Sequence, residues 1–163
     1  MKKTINLGVL GIDHGHIFDM LDEMLKESCT CDYFWTEGDP LTLKEFNSKY
    51  PNIKRKQKKE EILNDPSIDM ILISSVPKDR AHNSIEALKA GKDVMVDKPG
   101  CTTLDQLNEI KQTIKETGKI WSVNFSERFH VAAVAKAEKL FNQGKIGKVK
   151  QTIGTVPHRH VNY

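Results

Sequence analysis

The sequence has few of the features that mark secreted, membrane or nucleic-acid-binding proteins. It has only three cysteines in 163 residues, an odd number without the spacing of a zinc ribbon or a disulfide framework. No apolar run approaches the length of a membrane span. The net charge of only +3 produces no strong field for nucleic acid or an anionic membrane. We therefore expect a cytoplasmic protein in a reducing compartment, without membrane or nucleic-acid partners.

The one basic cluster, residues 54–59, is followed at once by Glu60 and Glu61. Aromatic residues, which stack on bases in many nucleic-acid-binding surfaces, are not interleaved with it. The pattern predicts a solvated loop that leads into a short helix.

What the sequence does have is an alternation of short apolar runs with segments of helical periodicity. The run at residues 70–73 has no polar interruption, as expected for a strand buried on both faces. Helix signals include Pro40 in a first turn, a cap at Thr103 and Gly91 at a carboxyl end. The predicted strands cover residues 5–10, 33–35, a weak segment near 53, 70–73, 94–96, 120–123 and 149–156, and the predicted helices cover 16–25, 40–50, 60–63, 78–90, 103–118 and 128–142.

Strands that alternate with helices predict right-handed βαβ units and a parallel sheet covered on both faces. The predicted fold class is therefore α/β, a doubly wound, Rossmann-like parallel sheet. The length of 163 residues is enough for one domain of usual size and the start of another.

The turn after the first strand, residues 8–16, is an incomplete dinucleotide fingerprint. A strict G-x-G-x-x-G that starts at Gly11 needs glycine at 13 and 16, where this chain has Asp13 and His16. The helix dipole and free backbone N–H groups supply most of the phosphate binding at such a turn, so a site is still expected. Asp13 brings a carboxylate near the phosphates unless it turns away or caps the helix. The cofactor contacts predicted here are Gly11, Ile12, Asp13, His14, Gly15 and His16.

Glu37 follows the second strand, a little over twenty residues past this turn. An acidic residue there accepts hydrogen bonds from the adenosine ribose hydroxyls and repels a 2′-phosphate, which favours NAD over NADP. The alternative is an acidic turn before a helix, because Asp39 and Pro40 follow.

The apolar run that begins at Asp93 ends in Asp97, Lys98 and Pro99. This places a cation at the carboxyl end of a strand, where open α/β sheets bind their ligands. A lysine that is partly desolvated beside a cofactor and paired with a carboxylate can have its pKa tuned for proton transfer. The alternative is that Lys98 only follows a strand and points into water.

Two histidine pairs, His14 with His16 and His158 with His160, have a spacing that could bind a metal. No partner carboxylate is identifiable in the sequence, and the first pair lies at a helix start that faces the predicted phosphate site. We therefore predict no metal site.

These segments together resemble the Gfo/Idh/MocA oxidoreductases, the relatives of glucose–fructose oxidoreductase and inositol dehydrogenase. The resemblance rests on the glycine turn, on Glu37, and on residues 85–99, 124–129 and 144–149. Family members bind NAD(P) and move hydride between nicotinamide and a carbon that bears a hydroxyl or amine, usually on a sugar or polyol. The family's Glu-Lys-Pro motif matches Asp97, Lys98 and Pro99, with a shorter acid.

The resemblance implies a role for individual residues as well. Lys98 takes the catalytic role of orienting or polarising the reacting oxygen or passing a proton, because a nearby cation stabilises alkoxide character. Arg80 stands where many relatives carry a histidine. Cofactor contacts beyond the glycine turn and Glu37 are implied at Ser75, Val76, Pro77, Arg80, Asp97, Lys98, Asn124 and Arg128.

Relatives continue into a carboxy-terminal α/β domain with a large open sheet, through which they often associate. The resemblance therefore implies a dinucleotide-binding domain at residues 1–125 and the first elements of a truncated substrate domain at 126–163, in a chain that is a fragment. The leading hypothesis is an NAD-dependent oxidoreductase of sugars or polyols. The alternatives are a dinucleotide-binding module without turnover and an interaction domain whose altered glycine turn binds no nucleotide.

Overall fold

The computed structural model describes residues 4–126 and 131–153. Its contacts divide the chain into two compact units, Met1–Asn124 and Phe125–Tyr163. In the described part of the chain, no helix is both long enough and apolar enough to cross a membrane.

The first unit is a six-stranded sheet in which every neighbouring pair of strands is parallel. Its strands are β1 (Ile5–Ile12), β2 (Cys29–Trp35), β3 (Lys54–Arg55), β4 (Met70–Ser74), β5 (Asp93–Asp97) and β6 (Trp121–Asn124). The helices are α1 (His16–Lys26), α2 (Leu43–Lys49), α3 (Glu60–Leu63), α4 (Pro77–Lys89) and α5 (Leu104–Thr117) in this unit, and α6 (Ala132–Asn142) in the second. The strand order β3-β2-β1-β4-β5-β6 reverses between β1 and β4. This is the doubly wound arrangement, and it confirms the predicted fold class.

The sheet is buried on both faces because successive side chains of a strand point in opposite directions. Val9 of β1 belongs to a core cluster with Ile17 and Leu21 of α1. The next residue, Leu10, belongs to a second cluster with Ala87 and Leu88 of α4. Strands such as β1 and β4 therefore contribute to two cores, which explains the uninterrupted apolar runs in the sequence.

The helix ends follow the signals in the sequence. The Thr103 side chain accepts a hydrogen bond from the Gln106 backbone N–H, and the Gln106 side chain completes a capping box at the start of α5. Gly118 follows α5 with φ +67°, and Gly91 follows α4 with φ +78°. The predicted cap and both predicted stops are confirmed.

Several elements differ from the sequence predictions. Strand β2 begins at Cys29 rather than at 33, and α6 begins at Ala132 rather than at 128. Helix α2 begins at Leu43 rather than Pro40, because residues 40–42 form a turn in which Leu43 N–H donates to the Pro40 carbonyl at 2.9 Å. The strand predicted over 149–156 is not formed at residues 149–153, which have no regular secondary structure, and residues 154–156 lie outside the described part. A strand requires a paired neighbour, and the described residues of the second unit contain none.

Candidate functional site

Three strand ends meet where the strand order reverses. Gly11 lies near the end of β1, Ser75 directly follows β4, and Asp97 ends β5. In open α/β sheets, ligands bind in the crevice outside the carboxyl ends of the strands at such a switch point. Asn124 ends β6 and pairs in register with Asp97, so it lies at the same edge. Arg128 lies outside the described residues.

Gly11 allows β1 and β4 to approach each other closely. Its φ is +76°, and a Cβ atom there would lie 2.5 Å from Cβ and 2.6 Å from Cα of Ser75. By contrast, a Cβ atom at Gly15 would meet no described atom within 4 Å. Atoms of Ser75 therefore fill the space beside Gly11. The space beside Gly15, in front of helix α1, holds no described atom.

Side chains modify the amino terminus of α1. The Nδ1 atom of His14 lies 3.3 Å from the His16 backbone N–H, which donates to it. That N–H is one of the groups that a helix amino terminus otherwise offers to an anion. Ile12 contributes only backbone, because its side chain is buried in the core.

Asp13 lines a cavity of about 150 Å³ together with Gly11, Glu37, Ser75 and Val76. The carboxylate therefore does not turn away from the site. Burial raises the pKa of Asp13, a hydrogen bond from its own backbone N–H opposes this, and the charges of Asp79 and Glu37 raise it further. The structure thus brings together five of the residues that the sequence predicts for cofactor binding.

Sequence reasoning missed half of the cavity wall. Trp35 lies two positions before Glu37 at the end of β2, so its position after the aromatic strand core could have indicated it. The others lie on the first turns of α4 or on the basic cluster, and only the folded chain brings them to the site. The missed residues that line the cavity are Trp35, Lys59, Asp79, His82 and Asn83.

The loop that carries Glu37 is held by the edge strand β3. Arg55 donates to the backbone carbonyls of Thr36, at 3.1 Å, and of Gly38, and to Oδ1 of Asp39 at 2.9 Å. The prediction of a solvated loop for the basic cluster is therefore wrong in part. It includes β3, and Lys59 in the same cluster pairs with Glu86 at 2.5 Å.

Asp97 is fully buried and its carboxylate is bound by side chains of the protein. Arg80 Nη2 lies 2.8 Å from Oδ2, and His16 Nδ1 lies 2.8 Å from Oδ1. His14 Nδ1 lies 3.3 Å from Oδ2. Burial lowers the pKa of His14, the neighbouring His16 lowers it further, and Asp97 opposes both. The lowered pKa favours the uncharged form of the His14 imidazole.

Arg80, which the resemblance implied as a cofactor contact, is only 2% exposed. Besides Asp97, it donates from Nε to the Ser75 carbonyl at 2.7 Å and from Nη1 to the Lys98 carbonyl. The guanidinium group thus joins the ends of β4 and β5. The structure places it in contact with the protein rather than with the cavity.

Lys98 is half-buried and directly follows Asp97. Its charge contributes to lowering the pKa of His14 in the glycine turn. Pro77 is the first residue of α4, and Ser75 is 5% exposed and accepts a hydrogen bond from Asn83 Nδ2 at 3.2 Å. Of these three residues, Ser75 lines the cavity, and Lys98 and Pro77 are not among the residues that line it.

This strand order, with a glycine turn into a helix at the switch point and an acid after the second strand, defines a Rossmann-type dinucleotide-binding domain. The sequence model of the "oxidoreductase family, NAD-binding Rossmann fold" matches residues 37–125, more than half of the chain. The chain belongs to the Gfo/Idh/MocA oxidoreductase family, as its motifs indicated.

Relatives include two enzymes of Bacillus subtilis (strain 168). The chain is 35% identical to scyllo-inositol 2-dehydrogenase (NAD(+)) over 88 residues, which cover 54% of this chain and 25% of that protein. It is 25% identical to scyllo-inositol 2-dehydrogenase (NADP(+)) IolW over 149 residues, 88% of this chain and 39% of that one.

Among solved structures, a proposed oxidoreductase from Erwinia carotovora atroseptica SCRI1043 superposes with a TM-score of 0.84 and 31% identity, covering 88% of this chain and 43% of that chain. The chain therefore spans less than half the length of these relatives.

Proposed function

We propose that this chain is the cofactor-binding part of an NAD(P)-dependent oxidoreductase that moves hydride between nicotinamide and a hydroxyl-bearing carbon of a sugar, polyol or related small molecule. Residues 1–125 form the dinucleotide domain, and residues 126–163 begin the substrate domain. The observation that carries the proposal is the cavity at the switch point, which Gly11, Glu37, Ser75 and Val76 line together. Lys98 and Asn124 lie along the same sheet edge, where the reactive ring of the cofactor would lie.

The cavity favours NAD over NADP. Three carboxylates, those of Asp13, Glu37 and Asp79, line it, and a 2′-phosphate placed among them would be repelled. Lys59 also lines the cavity, but its charge is paired with Glu86 at 2.5 Å. The relatives are named for both cofactors, so the charge of this cavity is the better guide.

Lys98 is the residue proposed to act on the substrate. A cation beside the nicotinamide stabilises the negative charge that develops on the substrate oxygen as hydride leaves. The half-buried position of Lys98 is suited to this role, because a partly desolvated charge interacts more strongly than one in bulk water.

Calorimetric titration with NADH and NADPH tests the cofactor assignment. We expect NADH to bind more tightly, and Glu37→Ala to weaken NADH binding about tenfold, since a hydrogen bond to a charged group contributes about 1.5–3 kcal/mol. The affinity for NADPH should fall less than the affinity for NADH, or rise. The preference for NADH over NADPH is therefore expected to become smaller. Glu45→Ala, which removes the same charge from an exposed position on α2, is the control. An unchanged preference in Glu37→Ala would mean that the ribose is recognised elsewhere.

A turnover assay distinguishes the proposed oxidoreductase from a dinucleotide-binding module and from an interaction domain. The protein is incubated with the cofactor and each of a panel of polyols and sugars, and hydride transfer is followed by the absorbance of the nicotinamide. NADH binding without turnover of any of them would favour the dinucleotide-binding module. No heat with either cofactor would instead favour the interaction domain.

The cytoplasmic setting and the self-association of the full-length form stay predictions. Cys29, Cys31 and Cys101 are free, which supports a reducing compartment. Burial raises the pKa of Cys31 to about 12, so this side chain remains a thiol at neutral pH.

A further inference from the structure

Three side chains of types that bind transition metals meet at the amino terminus of α1. The ligand atoms of His14, His16 and Asp97 all lie within 4.8 Å of one another. The sequence predicted no metal here because it showed no carboxylate partner for the histidine pair. The fold supplies that partner, since Asp97 lies 81 positions after His16 and is brought to it by strand β5.

The three groups are held in place before any ion binds. Asp97 is fully buried, and Nη2 of Arg80 holds the Oδ2 atom of its carboxylate at 2.8 Å. The backbone of His14 is bound on both sides by Ser74, whose carbonyl accepts the His14 N–H at 3.2 Å and whose hydroxyl donates to the His14 carbonyl at 3.2 Å. An ionised carboxylate has about four lone-pair positions, so Asp97 can accept from Arg80 and still bind an ion.

Nδ1 of His14 lies between a hydrogen-bond donor and an acceptor. The donor, the backbone N–H of His16, lies 3.3 Å from it, and the acceptor, Oδ2 of Asp97, also lies 3.3 Å from it. When Nδ1 carries no proton, it accepts from the N–H and also faces the carboxylate oxygen. A cation between Nδ1 and Oδ2 would attract both atoms.

We propose that His14, His16 and Asp97 bind one divalent transition-metal ion, with Zn²⁺ preferred. Two imidazoles and one carboxylate form a common three-ligand set that leaves further positions open. Tetrahedral bonds of about 2.0–2.2 Å separate ligand atoms by about 3.3–3.5 Å. Oδ2 of Asp97 lies 3.3 Å from His14 Nδ1, and Oδ1 lies 2.8 Å from His16 Nδ1, so the imidazole rings must shift for both nitrogens and one oxygen to reach the same ion.

Access and charge set the expected strength of the site. The side chains of His14 and His16 are 43% and 27% exposed, which gives an ion a path of entry. Two cations, Arg80 and Lys98, act on His14 and repel a divalent ion. We therefore expect micromolar binding, weaker than in closed structural zinc sites.

Cobalt is the probe that tests the proposal, because Co²⁺ in a site with protein ligands gives visible d–d absorption. The complete chain, without a histidine tag, is treated with chelator, desalted and titrated with Co²⁺, and Zn²⁺ is then added to displace it. We expect one equivalent of Co²⁺, full displacement by Zn²⁺, and at least tenfold weaker binding in His14→Gln and in His16→Gln. Thermal unfolding of each variant checks that the fold is kept, and both side chains are exposed enough for this to be expected.

Two controls decide which histidines are responsible. His82→Gln changes a histidine that also contacts a carboxylate, Glu86 at 3.3 Å, and should bind Co²⁺ like the unaltered chain. The double variant His158→Gln/His160→Gln removes the second pair of the same spacing and should also bind normally. Absence of d–d bands, or binding that is lost in the double variant and kept in His14→Gln and His16→Gln, would overturn the proposal.

The metal proposal uses three residues, His14, His16 and Asp97, that are also predicted cofactor contacts, so the two proposals are tested under separate conditions. NADH titrations are carried out in chelator and Co²⁺ titrations without nucleotide, so failure of one leaves the other unaffected.

Discussion

Gly11 and Gly15 lie in one turn but are glycine for different reasons. Gly11 needs both a positive φ and the absence of a side chain, because Ser75 lies where its Cβ would be. Gly15 has φ −61°, which any residue can adopt, and no described atom would contact its Cβ. Only the second glycine thus leaves open space where a side chain would lie.

The contrast predicts opposite results for two alanine variants. Gly11→Ala should lower the free energy of unfolding by about 2–4 kcal/mol, since the left-handed backbone and the overpacking each cost about 1–3 kcal/mol. Gly15→Ala should change it by less than about 0.5 kcal/mol but weaken NADH binding. Urea denaturation and calorimetry measure the two effects. Equal stabilities of the variants would contradict the close approach of β1 to β4.

Lys98 carries the chemical prediction at the scale of single residues. With a sugar or polyol that the protein oxidises, Lys98→Ala should lower kcat by about a hundredfold or more, the usual contribution of a positioned acid or base. The dissociation constant of NADH should stay within about tenfold, because the role proposed for Lys98 is in the transition state. Lys111→Ala, at an exposed position on α5, is the control. Turnover near the parent level would refute the role.

At the scale of elements, one ion pair joins the ends of two strands. Arg80 reaches from α4 to the end of β4 and to Asp97 on β5, and both side chains of the pair are buried. Their mutual neutralisation allows two charges to lie in the interior. The pair therefore positions the backbone around Lys98, whose carbonyl also accepts from Arg80.

A double-mutant cycle measures this pair. Arg80→Met and Asp97→Asn should each lower the free energy of unfolding by about 3–5 kcal/mol, because each leaves its partner charged and buried. The free energy of unfolding of the double variant should fall by less than the sum of the two single losses, and the difference should be about 1.5 kcal/mol or more. Urea denaturation of the four proteins gives the coupling. Additive losses would show that the two side chains act separately.

At the scale of the whole molecule, the sequence predicted the sheet well and the site in part. Uninterrupted apolar runs such as 70–73, and caps such as Thr103, are local signals, so the strands and helices of the first unit could be read directly. The partners of Asp97 could not be predicted, because Arg80 and His16 come from distant segments that only the strand order brings together. The strand predicted at 149–156 was wrong at residues 149–153 for a different reason. The local apolar pattern is present there, but the described residues of the second unit contain no strand to pair with.

The division into two units predicts independent folding of the first. The core clusters lie within residues 7–110, and α6 of the second unit has no buried residue. A chain of residues 1–124 should therefore unfold cooperatively, with a free energy of unfolding within about 1 kcal/mol of that of the full sequence, a small share of the usual total. Urea denaturation of the two chains checks this. A non-cooperative transition in the shorter chain would show that the first unit depends on the second.

The hydrogen bonds from Arg55 to the loop around Glu37 have a consequence for coenzyme preference. Arg55 lies on the shortest strand and binds the carbonyls on both sides of Glu37 without contacting the cavity. Under the proposed role of Glu37, a substitution at Arg55 would therefore change coenzyme preference while every residue that lines the cavity stays the same.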